Sequence, residues 1–310
     1  MYQMYKLLTK YHNLIFKTGK ILLSLAAVYY LWQHRYLKLM WQDFTGLLSI
    51  KFIIILLSFS VLNWFFEIKK WQYLAGQIQP VSPKEAAKQS LISFSLSLLT
   101  PNRVGEYGAK MFFFDSKHYK KLISLTLIGN LSQLIITLVA GFLAWVYAYR
   151  IGIFKKVVDL QFFTTTNSYL GILLVAVLLF LILVFKRLKK IRKNPVLQSR
   201  IWLQSTGYAW VRYLIFSSQF VWLLLYFNVP FSPIHLYIGV SLVYLVAAFI
   251  PMLAFMDWAV KGNAAIWIFS SLQINSVLVL KIVALMWLGN FLLPFIAGLV
   301  WMWQSKTFKK

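Results

Sequence analysis

Long apolar runs separated by short basic loops make up most of this 310-residue chain. A helix rising 1.5 Å per residue needs about 20 apolar residues to cross roughly 30 Å of hydrocarbon. Runs of that length predict six spans, at about residues 20–38, 47–68, 121–149, 168–186, 201–227 and 276–303. The pattern therefore predicts an all-α, polytopic integral membrane protein with one membrane domain over residues 1–310.

Two further apolar runs, 83–114 and 233–272, are each interrupted by a proline, Pro101 and Pro251. Proline lacks a backbone N–H and clashes with the preceding turn, so each run should break there. Each run is either two crossing helices joined by almost no loop or a re-entrant hairpin that enters and leaves on one side. We expect two re-entrant, broken-helix hairpins.

The apolar runs recur in the same order in residues 1–150 and 151–310. Pro101 and Pro251 lie about 150 residues apart, and the spans pair at nearly the same offset. Because paired elements would run in opposite directions, the spacing indicates an inverted-topology repeat, in which substrate sites lie near the midplane at broken helices. A stack of similar apolar helices would be the alternative source of such spacing.

Composition and charge agree with a membrane protein. The chain is 60% hydrophobic with a mean hydropathy of +0.70, against an apolar share of about 45–50% in soluble domains. Its net charge of +25 lies in short loops between apolar runs, which argues against nucleic-acid binding and favours contact with anionic lipid headgroups.

Loop charge also predicts orientation. With a cytoplasmic N-terminus, the inside segments hold 21 basic residues and the outside segments hold 5, as the positive-inside rule requires. We therefore expect a multi-pass protein of the cytoplasmic (inner) membrane with both termini in the cytoplasm. This tally is the same for crossing helices and for hairpins, so it leaves the depth of the hairpins open.

Seven charged side chains fall at membrane depth, where one charge costs from about 2.5 kcal/mol upward and is a functional candidate by default. They are Glu67, Arg103, Glu106, Lys110, Arg212, Asp257 and Lys261. We expect them to line a polar pocket between the two hairpins. In the alternative, Glu106 with Lys110 and Asp257 with Lys261 are i,i+4 pairs that stabilise their own helices.

The two arginines differ from the other charges, because neither Arg103 nor Arg212 has an acid at helical spacing. Contact with an anion is therefore their expected role. Glu67 is expected to pair across helices with Arg212 or Lys110.

The segment around Glu67 and the start of the first hairpin carry local signals. Trp64, Lys69, Lys70 and Trp71 resemble an interfacial belt of aromatic rings and snorkelling cations. Ser82-Pro83-Lys84-Glu85 predicts a helix start with an N-cap, a proline at the first position and a capping-box glutamate. Thr100 or Asn102 is expected to cap the returning helix.

Catalytic chemistry finds little support in the sequence. The chain has no cysteine, four scattered histidines, no glycine-rich phosphate loop and no nucleophile elbow. We therefore expect no catalytic residues, no metal site and no cofactor.

Four motifs resemble the lysylphosphatidylglycerol synthase transmembrane-region family, which includes the flippase domain of the multiple peptide resistance factor. They are N-W-x-x-E-x-x-K-W at 63–71, T-P-N-R-x-G-E-Y-x-A-K at 100–110, R-Y-L-I-F-x-x-Q-F at 212–220 and I-P-x5-D-x3-K at 250–261. The resemblance covers nearly the whole chain. It implies a membrane domain that moves a lipid headgroup between leaflets, with Asn63 added to the substrate-binding set.

Two departures from the family qualify the resemblance. The chain ends seven residues after Trp303, so we expect it to lack the family's soluble aminoacyl transferase domain. The second copy has Asp257 and Lys261 in place of the glycine-rich, Arg-Glu ending often seen there, so its substrate is expected to differ.

The sequence thus predicts a flippase-like lipid translocase that is not an enzyme. Its partners would be membrane lipids with an anionic or zwitterionic, phosphate-containing headgroup that passes through a midplane cavity, and a homo-oligomer or a biosynthetic partner stays open. The alternative is a membrane-embedded accessory subunit or transferase of lipid-linked glycan or phospholipid biosynthesis.

Overall fold

The computed structural model describes Tyr29 and residues 49–98, 100, 105–154, 199–250 and 256–304. Every secondary-structure element within these ranges is a helix. The all-α prediction is therefore confirmed for this part of the chain.

The described helices form two sets with the same order. The first set comprises α1 (Ile50–Ala75), α2 (Pro83–Ser97), α3 (Gly105–Met111) and α4 (Tyr119–Ile151), with a 3-10 turn at Ser116–His118 before α4. The second set comprises α5 (Ser199–Tyr226), α6 (Pro233–Phe249), α7 (Asp257–Ser270), α8 (Ser276–Trp287), a π-turn at Leu288–Leu292 and α9 (Leu293–Gln304). Matching helices begin about 150 residues apart.

Three stretches of helix are long and apolar enough to cross a membrane: Ile50–Ala75, Ser116–Ile151 and Ser276–Gln304. They correspond to the predicted spans 47–68, 121–149 and 276–303. Helix α5 has nearly the bounds of the predicted span 201–227. The predicted span 168–186 lies outside the described residues, as does 20–38 apart from Tyr29.

Both broken runs are interrupted where a break was predicted. Helix α2 ends at Ser97 and α3 begins at Gly105, while α6 ends at Phe249 and α7 begins at Asp257. The two helices of each run pack against each other. Pro101 and Pro251 themselves lie outside the described residues.

Two predicted caps lie at the starts of the two helices of the first broken run. The Ser82 hydroxyl accepts a hydrogen bond from the Glu85 amide at 3.2 Å, and Pro83 is the first residue of α2. The Thr100 hydroxyl accepts from the amide of Gly105, the first residue of α3, at 2.8 Å. The Ser82 N-cap and the Thr100 cap are confirmed, since each hydroxyl satisfies an amide at the start of a helix, whereas the carboxylate of the predicted capping-box Glu85 lies 3.9 Å from Lys88 Nζ.

Helix α5 lies at the centre of the packing, in contact with α1, α4, α6 and α8. The largest apolar cluster gathers mainly the second set of helices around it and includes Leu223, Val240, Phe269 and Leu280. A smaller cluster around Trp71 joins the end of α1 to α2 and α4. The charged residues described below lie between these helices of the first set and α5.

The closest helix approach that depends on a glycine lies between α2 and α9. A methyl group at Gly298 would collide with the carbonyl oxygen of Leu91 and the hydroxyl of Ser95. That hydroxyl donates to the Phe295 carbonyl at 2.9 Å across the same contact. The absence of a side chain at Gly298 thus sets the distance between the two helices.

This contact predicts opposite results for two glycine substitutions. Gly298→Ala should destabilise the protein by about 1–3 kcal/mol, because a backbone oxygen cannot move aside as a flexible side chain would. Gly207→Ala is the matched control, since nothing lies within 4 Å of its added methyl and alanine favours a helix by about 1 kcal/mol. Thermal unfolding in detergent measures both variants. A lower melting temperature for Gly207→Ala than for Gly298→Ala would contradict the packing described.

Candidate functional site

One face of α1 carries four polar residues in a row within a largely apolar helix. Ser60, Asn63, Glu67 and Lys70 follow one another at helical spacing and cover about 15 Å of the axis. Asn63 and Lys70 are each only 3% exposed. The helix therefore presents a buried polar stripe to its neighbours.

Glu67 is shared by two cations. Its Oε2 atom lies 2.5 Å from Arg212 Nη1 and 2.8 Å from Lys70 Nζ. Lys70 Nζ also donates to the Gly129 carbonyl on α4 at 3.4 Å. The predicted pairing of Glu67 across helices is thus confirmed with Arg212 and joins α1 to α5, and Lys70 extends the contact to α4.

A second ion pair stands beside the first. Lys110 Nζ lies 2.7 Å from Glu106 Oε1, as the i,i+4 spacing predicted, and 3.6 Å from the centre of the Trp71 ring. The Trp71 ring nitrogen in turn donates to Gln89 Oε1 at 2.9 Å. An ammonium group over an indole face is attracted by the ring's quadrupole, so Trp71 gives Lys110 a second favourable contact.

The two ion pairs lie beside each other, because Lys110 packs 3.6 Å from the ring of Trp71, the residue that follows Lys70 on α1. We call this group the charge cluster, and its members are Glu67, Lys70, Glu106, Lys110 and Arg212. Three cations face two carboxylates. The described part of the cluster therefore has a surplus of one positive charge.

Arg212 retains donors for a further partner. Its Nε donates to Asn63 Oδ1 at 2.9 Å and its Nη1 to Glu67. Within the described residues no acceptor lies in hydrogen-bond range of Nη2. The Arg212 side chain is 17% exposed, and its other two nitrogens are already held.

Three side-chain amides form a series of hydrogen bonds that begins at Arg212. Asn63 Nδ2 donates to Asn290 Oδ1 at 2.8 Å, and Asn290 Nδ2 donates to Gln219 Oε1 at 2.7 Å. Gln219 Nε2 then donates to the Ser60 hydroxyl at 3.2 Å and to the Leu56 carbonyl at 3.1 Å. We call Asn63, Asn290 and Gln219 the amide chain.

The second predicted pair lies elsewhere. Lys261 Nζ is 2.8 Å from Asp257 Oδ2, which confirms the i,i+4 pairing, and 5.8 Å from the centre of the Tyr244 ring. No described contact joins this pair to the charge cluster. Tyr213 follows Arg212 on α5 and lies against Tyr244, with 6.3 Å between ring centres, so consecutive residues of α5 contact the two groups.

Sequence reasoning was wrong about the segment 64–71. Trp64, Lys70 and Trp71 were expected in an interfacial belt, yet all three are buried. Lys70 has acceptors inside the protein and Trp71 lies under Lys110, so neither needs the interface. The signal that was missed is that Lys70 follows Glu67 by three residues, on the same face of α1.

Asn290 and Gln219 were also missed. Gln219 lies seven residues after Arg212, on the same face of α5, and Asn290 lies four residues before Pro294. Both spacings are visible in the sequence. The predicted site residue Arg103 lies outside the described residues.

A cavity of about 250 Å³ opens at the start of α2 and the end of α9. Its lining residues are Ser82, Lys84, Glu85, Lys88, Trp301 and Gln304. None of them belongs to the charge cluster or the amide chain, so the cavity is a separate feature. The described part of the chain gathers no group of three or more His, Cys, Asp or Glu side chains.

Comparisons with protein-family models, with curated proteins and with solved structures found no match for this chain.

Because Arg212 and Lys70 share the Glu67 carboxylate, substitutions of Glu67 and of Arg212 should lower the free energy of unfolding by different amounts. Glu67→Gln leaves Arg212 and Lys70 without their carboxylate, and breaking a buried pair costs about 3–5 kcal/mol. Arg212→Gln should cost less, because Lys70 still neutralises Glu67. Because the Glu67 and Arg212 side chains are partly exposed, the Glu67→Gln loss should lie at the low end of that range. Unfolding in detergent, followed by circular dichroism, measures both, and a larger loss for Arg212→Gln would contradict the shared carboxylate.

Proposed function

We propose that this protein is a flippase-like lipid translocase of the lysylphosphatidylglycerol synthase transmembrane-region type. The charge cluster would bind the phosphate of an anionic or zwitterionic headgroup as the lipid passes between leaflets. The observation that carries the proposal is that Arg212 Nη2 has no acceptor among the described residues, beside a cluster in which the described cations outnumber the described carboxylates by one. Charge-assisted hydrogen bonds from arginine are the strong contacts for phosphate oxygens.

The cost of the cluster supports a functional role. Helix α1, which carries Glu67 and Lys70, and α4, whose Gly129 carbonyl accepts from Lys70, are long and apolar enough to cross a membrane, and charged groups at such depth are retained mainly where they serve transport or binding. Glu67 lies about 7 Å along α1 from the middle of that helix. A headgroup there would have left the interface and entered the protein.

The repeated order of helices supports the architecture that we propose. Two sets of helices, each with a break after its first short helix, fit an inverted-topology repeat of six spans and two re-entrant hairpins. In that arrangement the breaks between α2 and α3 and between α6 and α7 would face each other near the midplane. Headgroups would pass between them in the cytoplasmic membrane.

Lipid translocation in proteoliposomes tests the proposal. The purified protein should move fluorescent phosphatidylglycerol between leaflets, as followed by dithionite quenching. Arg212→Gln removes a charge-assisted contact of roughly 1.5–3 kcal/mol, so the half-saturating lipid fraction should rise about 10-fold to 150-fold. Fluorescent phosphatidylcholine in a parallel assay distinguishes an anionic from a zwitterionic substrate.

The control removes a cation outside the cluster. Lys117 pairs with Asp115 on the exposed surface, with 71% of its side chain accessible, so Lys117→Gln should leave translocation unchanged. Thermal unfolding accompanies each assay to exclude loss of fold. Equal translocation by the folded Arg212→Gln variant and the wild type would overturn the proposed function.

The proposed orientation gives a labelling prediction. Ser116 and Ser232 are both exposed and the chain has no cysteine, so Ser116→Cys and Ser232→Cys each introduce one reactive site. A membrane-impermeant maleimide should label the Ser116→Cys variant only from the cytoplasmic side and the Ser232→Cys variant only from the outside. Labelling of both from one side would contradict the inverted arrangement.

A further inference from the structure

The last long helix has a defect at Asn290. Residues Leu288–Leu292 form a π-turn, and Pro294 has no N–H to donate to the carbonyl four residues earlier, which is that of Asn290. The ring nitrogen of Trp64 donates to this carbonyl at 2.9 Å instead. A hydrogen bond from α1 thus satisfies the backbone oxygen that the proline leaves free.

A glycine brings the same turn close to α1. A methyl group at Gly289 would collide with the Ser60 hydroxyl. The absence of that methyl lets the Asn290 side chain lie between Asn63 on α1 and Gln219 on α5. Since π-turns inside α-helices often occur at functional sites, the position of Asn290 calls for a functional test.

The amide chain has a fixed direction. Each amide accepts through its oxygen and donates through its nitrogen, and the donors all point away from Arg212. Asn290 Nδ2 also donates to the Met286 carbonyl at 3.1 Å, and Gln219 Nε2 donates to the Leu56 carbonyl. Backbone carbonyls can only accept, so they prevent Asn290 and Gln219 from turning over.

That direction decides which atom Arg212 meets. With Asn290 Oδ1 facing its nitrogen, Asn63 presents its oxygen to Arg212 Nε. If Asn63 turned over, its NH₂ group would face a cation that can only donate. Hydrogen bonds in such a chain also strengthen one another in a poorly solvated interior.

We propose that Asn290 is a positioning residue for headgroup binding. Through Asn63 it fixes Arg212 Nε, while Glu67 holds Nη1, so that Nη2 faces the anion. This inference rests on the proposed function. It extends the site to the π-turn of the last helix, which touches no member of the charge cluster directly among the described contacts.

The test uses the phosphatidylglycerol translocation assay with a double-mutant cycle. Asn290→Ala should raise the half-saturating lipid fraction about 2-fold to 10-fold, the range for one hydrogen bond, with little change in the maximum rate. In an Arg212→Gln background the same substitution should add nothing. Asn263→Ala is the matched control, since it removes an amide on α7 that donates to the Ala259 carbonyl of its own helix and should leave half-saturation unchanged.

Every other outcome overturns the positioning role of Asn290, either alone or together with the proposed function. If Arg212→Gln raises the half-saturating fraction and Asn290→Ala does not, the positioning role fails while the proposed function stands. Additive effects in the double variant also overturn it, because Asn290 would then act independently of Arg212. No effect of Arg212→Gln itself overturns the proposed function and this inference together. Should Asn290→Ala not fold, Gln219→Met breaks the next link and must shift half-saturation in the same direction.

Discussion

The Glu67 carboxylate is the group on which the polar interior depends. It neutralises Arg212 from α5 and Lys70 from its own helix, and Lys70 in turn reaches the Gly129 carbonyl of α4. In a poorly solvated interior a charge without a partner costs several kcal/mol. Helices α1 and α5 must therefore keep their relative positions for Arg212 to stay paired with Glu67, and this requirement links the packing of α5 to the geometry of the site.

The same constraint explains the irregular last helix. The Asn63 amide nitrogen donates to neither α1 nor α5 but to Asn290 Oδ1, and a helix with a backbone donor at position 294 would use the Asn290 carbonyl itself. The π-turn and Pro294 leave that carbonyl to Trp64, while the Asn290 side chain closes the amide chain. Helix regularity is lost, and the buried amides of Asn63 and Gln219 and the ring nitrogen of Trp64 are satisfied in exchange.

Features set by local spacing were predictable from the sequence. The lengths of the apolar runs predicted the approximate extent of α1, α4 and α8–α9. The residues after Val81 predicted the N-cap of α2. The i,i+4 spacing predicted both acid–lysine pairs. The pairing of Glu67 was narrowed only to Arg212 or Lys110, because the choice depends on how helices pack. Lys70 was misjudged for the same reason, since its sequence neighbours resemble an interface and only its buried contacts with Glu67 and Gly129 show otherwise.

The two acid–lysine pairs show how packing separates identical local motifs. Glu106 and Lys110 are 13% and 5% exposed and lie beside the other members of the charge cluster, whereas Asp257 and Lys261 are 24% and 35% exposed and face Tyr244. The first set of helices supplies most of the buried charge, and the second set supplies most of the largest apolar core. The two halves thus have the same order of helices but differ in what they bury, charged groups in the first and apolar side chains in the second. On the proposed function, the second half would supply the anion-binding Arg212 from α5, and the first half would supply Glu67 and Asn63, which hold it in place.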